Sequence, residues 1–236
     1  MSVFNAVTVY PLKNSAASME VICMKLQETN SAAELGGEKI TTRVQIRRLT
    51  FTAMLSALAF CLMYLEIPVP LMPAFIKLDI SDFPALVAAF LFGPFSGAAV
   101  CLIKNLIHLP FSSTGGVGEL ANFTLGILLV IPAGFIYKFK RTKSGAVIAT
   151  SVGAFVMAAG SFFVNYFILY PVYYNFLPQE AVLNAYQKIL PSVSTIPECL
   201  LIFNVPFTFI KALICAVIVF ILYKPLSAAS KATGSR

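Results

Sequence analysis

Between Lys77 and Asn122 the chain reads KLDISDFPALVAAFLFGPFSGAAVCLIKNLIHLPFSSTGGVGELAN, and most of its chemistry-bearing residues stand there: Lys77, Asp79, Asp82, Lys104, Asn105, His108, Glu119 and Asn122. Two neighbouring carboxylates suit acid/base work, a lone histidine suits proton relay or metal ligation, and a lysine inside an apolar run calls for a partner. Each also has a plainer role. Asp79 and Asp82 flank Ser81 directly ahead of an apolar run, which fits N-capping and charge at a helix N-terminus. His108 has no second residue at ligand spacing and fits a polar interfacial side chain. Gly115, Gly116 and Gly118 ahead of Glu119 fit a turn more simply than an anion cradle. No GxxxxGK[ST] occurs, so this chain is not a P-loop ATPase.

A second polar group lies near the C-terminus. Lys211 sits inside the apolar run CLLIFNVPFTFIKALICAVIVFILY, and Asn204, Thr208 and Lys211 share one helix face by their spacing. Pro206 removes a backbone donor beside them. The face either lines a ligand site or binds neighbouring helices through hydrogen bonds. Asn165, alone in GSFFVNYFILYP, carries the same two readings.

The elements that hold these residues are set by composition. With 58% hydrophobic and 11% charged residues and a mean hydropathy of +0.85, the chain is an integral membrane protein. Its net charge of +7 belongs to the flanks of apolar spans and not to a nucleic-acid site, since no contiguous basic domain is present. The five cysteines, Cys23, Cys61, Cys101, Cys199 and Cys215, show no CxxC pairing and read as small packing residues.

Residues 1–44 are mixed in composition and are expected to form a mobile cytoplasmic extension, with Met24 as an alternative start. Arg43, Arg47 and Arg48 precede a span from Leu49 to Ile67. The block from Phe83 to Leu109 is either one span or two broken at Gly93 and Pro94. Further spans are expected at Glu119 to Tyr137, Gly145 to Tyr170 and Cys199 to Tyr223. Charge favours the break. Six crossings put the N-terminal arginines, the cluster Lys138, Lys140, Arg141 and Lys143, and the tail with Lys224, Lys231 and Arg236 on one side. The expected architecture is all-α with six transmembrane helices and both termini cytoplasmic. It comprises a membrane domain over 45–226 and a tail over 227–236. Loops 66–82, 109–118 and 171–198 face outside, the last with a short surface helix from Gln179 to Leu190.

KLDISDFPAL, the GPFSG break, the Lys104–Asn105 pair, GGVGELANF followed by Gly126, NYFILYPVY and VPFTFIK occur in order over roughly residues 45–226. Together they resemble the S components of energy-coupling factor (ECF) vitamin transporters, the riboflavin-specific members in particular. The resemblance implies a cell-membrane protein, not an enzyme and with no cofactor, that captures riboflavin from outside. Its partners would be a transmembrane coupling protein, two cytoplasmic ATPases and membrane lipid, with no nucleic acid. Ligand contacts are implied at Asn165, Thr208 and Lys211, Thr208 standing where asparagine is expected. Leu65, Pro68 and Phe75 are lid candidates, and Asn122 and Asn204 are further ligand-facing candidates. Ala53 and Ala57 form a small-residue face that the resemblance makes the docking surface for the coupling protein. The alternatives are an S component for another vitamin or precursor, and a stand-alone secondary carrier.

Overall fold

In the computed structural model, residues 42, 44–70, 72–73, 76–112, 115–175 and 178–222 are described. The expected extension over 1–44, apart from Thr42 and Val44, and the tail over 227–236 lie outside them. The chain divides into a unit over Met1–Ile46 and a compact unit over Arg47–Arg236, and the helical bundle belongs to the second.

Helix α1, Val44–Tyr64, ends ahead of Pro68 and Pro70, whose missing N–H groups cannot continue it. The chain then makes two short strands, β1 (Ile67–Pro68) and β2 (Lys77–Leu78), paired antiparallel with Ile67 opposite Leu78. This small ladder is the one departure from an all-helical chain among the described residues. Helix α2, Asp82–Phe92, stops at Gly93, whose φ of 97° is open to glycine and costly for other residues. Helix α3, Pro94–His108, starts at once with proline at its first position, where no donor is needed. The break expected at Gly93 and Pro94 is therefore present. A 3₁₀ turn, Leu109–Phe111, leads to helix α4, Val117–Phe139. Helix α5, Lys143–Tyr173, is capped by Thr142, whose hydroxyl accepts the Gly145 N–H at 3.0 Å. Helix α6, Gln179–Gln187, occupies the expected surface-helix position, and helix α7 covers Ile196–Ile221.

Four of these helices, α1, α4, α5 and α7, are long and apolar enough to cross a membrane. At 1.5 Å per residue α2 and α3 reach only about 16 and 22 Å, against a hydrocarbon core of about 30 Å. They form a hairpin. Lys104 near the end of α3 meets Asp82 at the start of α2, and a Cβ on Gly97 would lie 2.7 Å from Ala85 O and 2.3 Å from Val130 Cγ1. Glycine thus lets α3 reach the α2 backbone and seat the Val130 side chain of α4, as small residues do in membrane bundles. Gly153 does the same between α5 and α4, since a Cβ there would lie 2.5 Å from Leu129 O. Residues Ala85 to Leu91 of α2 are buried throughout, whereas Phe155, Phe163, Phe167, Ile210 and Ile221 face outward as a lipid-facing rim requires.

The two ends of the bundle differ in charge. Arg48 Nε donates to Ser96 Oγ at 2.8 Å, Phe95 meets Phe135 at 6.3 Å, and Lys143 stands 5.1 Å from the Phe220 ring. These contacts gather the start of α1, the α2–α3 turn, the α4–α5 turn and the end of α7. That end holds Arg47, Arg48, Lys138, Lys140, Arg141 and Lys143. Every described acidic residue (Glu66, Asp79, Asp82, Glu119, Glu180 and Glu198) lies in the half containing the opposite end.

Gly97→Val drives a side chain into Val130 and the Ala85 carbonyl, so the purified protein should lose about 1–3 kcal/mol. The measurement is a thermal-unfolding midpoint in detergent, expected to fall by several degrees; an unchanged midpoint would contradict the close approach of the three helices.

Candidate functional site

At the acidic end the bundle buries a quartet, Asp79, Asp82, Lys104 and Lys211, whose formal charges sum to zero, beside a buried His108–Glu119 pair. Lys104 Nζ lies 2.6 Å from Asp82 Oδ1 and 2.5 Å from Ser81 Oγ. Lys211 Nζ donates to Asp79 Oδ2 at 2.8 Å and to Asn122 Oδ1 at 3.0 Å, and sits 3.3 Å from Asp82 Oδ2. Asn122 Nδ2 in turn reaches Asp79 Oδ2 at 3.3 Å. Both Asp82 and Lys104 are 0% exposed, so each depends on the opposite charges around it to stay ionised. Burial alone would raise the Asp79 carboxyl. The Lys211 and Lys104 charges, with hydrogen bonds from Lys211 and Ser81, outweigh burial and hold it well below the usual carboxylate range.

The two carboxylates do more than start a helix: Asp82 stands in the first turn of α2, as the helix-start reading expects, and it is also paired with Lys104. Ser81 holds the N-cap position of α2 but makes no side-chain cap bond. Its hydroxyl donates to Asp79 and accepts from Lys104, while its backbone N–H reaches Asp79 Oδ1 at 2.9 Å. Sequence spacing placed Lys104 on a polar face with Asn105 and His108 without pairing it. The signal available was arithmetic: two lysines within apolar helices require two acids within reach.

Beside this network opens a cavity. It is bounded by Met63 of α1, Glu66, Ile76, Lys77 and Asp79 of the segment between α1 and α2, and His108 of α3. Glu119, Asn122 and Leu125 of α4, Met157, Asn165, Tyr170 and Tyr173 of α5, and Asn204, Phe207, Thr208 and Lys211 of α7 complete the wall. Five of the residues singled out from sequence, Asn122, Asn165, Asn204, Thr208 and Lys211, therefore come together. Leu65 and Pro68 do not line the cavity: both are exposed, Leu65 at 68%. Glu66, which forms an ion pair with Lys77, faces the cavity in their place. Phe75 lies outside the described residues.

Two prolines shape the wall. Pro171 and Pro206 lack the N–H of a regular helix, and each follows a one-turn π-helical segment, Asn165–Leu169 and Leu200–Asn204. The wider turn absorbs the clash of the ring with the carbonyl behind it. Asn165 opens the first such turn and Asn204 closes the second. From there α7 is regular, Thr208 Oγ1 donates to Asn204 O at 2.7 Å, and the shared face of Asn204, Thr208 and Lys211 is retained.

Around His108, as elsewhere among the described residues, no three His, Cys, Asp or Glu side chains converge. His108 Nδ1 lies 2.8 Å from Glu119 Oε1. Glu119 Oε2 accepts from Ser112 Oγ at 2.7 Å, and Ser112 Oγ accepts the Gly116 N–H at 2.9 Å. The glycine-rich stretch is thus a turn tied down by Glu119 and not an anion cradle. Cys101, Cys199 and Cys215 are buried and free, and Cys61 is exposed and free. Ala53 and Ala57 lie exposed on α1, while Ser56 between them is buried and donates to Thr52 O.

Lys104→Met strands the Asp82 carboxylate inside the bundle and should cost about 3–5 kcal/mol. The double variant Lys104→Met/Asp82→Asn should recover most of that. Thermal midpoints of the two purified variants provide the comparison, and equal midpoints would show that the pair is not coupled.

Residues 47–223 match the family model for the ECF transporter, substrate-specific component. The riboflavin transporter RibU of Staphylococcus aureus (strain TCH60) is 36% identical over 197 residues, covering 82% of this chain and 97% of that one. The riboflavin transporter FmnP of Bacillus subtilis (strain 168) is 32% identical over 188 residues, covering 77% and 94%. Among solved structures, the S component of a bacterial ECF transporter superposes with a TM-score of 0.62 at 33% identity, covering 78% of this chain and 97% of that one. These relatives are transporters, not enzymes, and the multi-pass helical architecture agrees with theirs. With a family match across three quarters of its length and a polar cavity at one end of an apolar bundle, the chain belongs to the substrate-specific (S) components of ECF transporters.

Proposed function

We propose that this S component captures riboflavin from outside the cell in the cavity at the acidic end of the bundle. The observation that carries the reading is the make-up of that cavity, where the amides of Asn122, Asn165 and Asn204 and the Thr208 hydroxyl meet the rings of Tyr170, Tyr173 and Phe207. A flat, largely apolar isoalloxazine with a polar edge matches such a wall. The two relatives named riboflavin transporters support the same ligand. Lys211 has three N–H donors and three oxygens around it, so its first role is to hold Asp79 and Asn122 in the wall.

The charge distribution supports the orientation. With the basic end cytoplasmic, the cavity opens outward, the α2–α3 hairpin counts as two short crossings, and six crossings place both termini inside. Residues 45–226 then form the membrane domain, with cytoplasmic segments at either end. The exposed Ala53 and Ala57 offer a flat strip of α1 for close helix packing, and we assign it to the coupling protein of the ECF module. Two ATPase subunits supply the energy, since this chain holds no P-loop of its own.

Purified protein should quench flavin fluorescence stoichiometrically on titration with riboflavin, and a folded protein that leaves the fluorescence unchanged would remove riboflavin as the ligand. Lys211→Ala should weaken binding at least tenfold, about 1.4 kcal/mol. Replacing Ala53 and Ala57 together by leucine should leave binding intact and abolish uptake in cells that supply the coupling module. Wild-type uptake by that variant would free α1 from the docking role.

A further inference from the structure

We propose that Tyr186, on the outer helix α6, is a positioning residue for the cavity: its hydroxyl orients the Asn204 amide so that the amide nitrogen is presented to the ligand. The inference rests on the reading of the cavity as the ligand site. Tyr186 belongs to a short helix between α5 and α7, yet it is 0% exposed, with its ring 5.3 Å from Phe203. It is absent from the cavity wall and acts through another residue.

The direction of the hydrogen bonds follows from counting hydrogens. Tyr186 O–H donates to Asn204 Oδ1 at 2.8 Å. A phenol carries one hydrogen, so the contact between the Tyr170 and Tyr186 hydroxyls is donated by Tyr170. The chain runs Tyr170 to Tyr186 to Asn204, each link polarising the next. Asn204 Oδ1 is occupied, whereas Nδ2 makes no hydrogen bond among the described residues and is not sealed from the cavity that Asn204 lines. Asn165 is held in the opposite sense. Its Nδ2 donates to Ser161 O at 2.6 Å, and because a carbonyl can only accept, Asn165 Oδ1 is left for the cavity.

The two amides thus face the ligand space with opposite polarity, a donor at Asn204 and an acceptor at Asn165. The group they select is a ligand edge that places a carbonyl oxygen or ring nitrogen beside an N–H. Without Tyr186 the Asn204 amide is free to turn over and present its oxygen to the ligand acceptor, which repels it. Docking of α6 is in this way built into the specificity of a cavity it does not line.

The test is a double-mutant cycle on riboflavin dissociation constants from fluorescence quenching, using wild type, Tyr186→Phe, Asn204→Ala and the double variant, with thermal midpoints on the same preparations. Phenylalanine fills the space of tyrosine, so the fold should survive. Tyr186→Phe should raise the dissociation constant about tenfold, and the double variant should bind no more weakly than Asn204→Ala alone. Tyr170→Phe should have a smaller effect, because the bond from Tyr186 to Asn204 survives it. An unchanged dissociation constant in folded Tyr186→Phe, with or without a lower midpoint, would overturn the positioning role, as would effects that multiply in the double variant. A folded wild type that does not bind riboflavin would overturn the ligand reading and this inference together; a wild type that binds beside an unaffected Tyr186→Phe would overturn this inference alone.

Discussion

The neutral quartet of Asp79, Asp82, Lys104 and Lys211 is the constraint around which the acidic half of the bundle is arranged. An unpaired charge at this depth would be costly by several kcal/mol, and the bundle meets that constraint by drawing the loop after β2, the start of α2, the end of α3 and the middle of α7 to one point. Asn122 extends the network to α4 through Asp79 and Lys211. The geometry of the cavity wall is a consequence, because Asp79, Asn122 and Lys211 belong to both the network and the wall.

Bringing those elements together requires close helix contact, and the small residues supply it. Gly93 reverses the chain between α2 and α3, and Gly97 lets α3 close on the Ala85 carbonyl of α2 and admit the Val130 side chain of α4. The hairpin in turn seats α2 in the centre of the bundle, buried along its whole inner run. Charge then distinguishes the ends: basic groups crowd the end where α2 turns into α3, and acids the half that holds the cavity. A membrane reads that difference as orientation.

In the proposed reading, capture and energy conversion are assigned to different chains. The cavity offers amides, a hydroxyl and aromatic rings, which suit recognition of a neutral, partly aromatic solute, and the sequence holds no GxxxxGK[ST] motif. The exposed Ala53 and Ala57 of α1 are not among the residues that line the cavity, to which α1 contributes Met63. A partner can therefore engage the two alanines without entering the ligand space.

Composition, hydropathy and motif order were enough to determine a helical membrane protein, the break at Gly93 and Pro94, the surface helix before α7 and the family. All of these depend on local properties of the chain: runs of apolar residues, breakers, and spacing along one helix face. The grouping of Asn204, Thr208 and Lys211 was legible for the same reason, since residues a turn apart must share a face. What the sequence alone did not reveal was partnership across long separations. Asp79 and Asp82 read most simply as helix-start residues, and nothing nearby in the chain told that Lys211, more than a hundred positions away, would lie beside them as well. Leu65 and Pro68 stand exposed after α1, and it is Glu66 between them that faces the cavity, an alternation the sequence did not signal. Tyr186 carried no signal of any kind, because a tyrosine on a short outer helix becomes informative only when the packing of α6 against α5 and α7 places its one hydrogen on Asn204. Local periodicity decides which residues share a face; only tertiary packing decides which charges and hydrogen bonds meet across it.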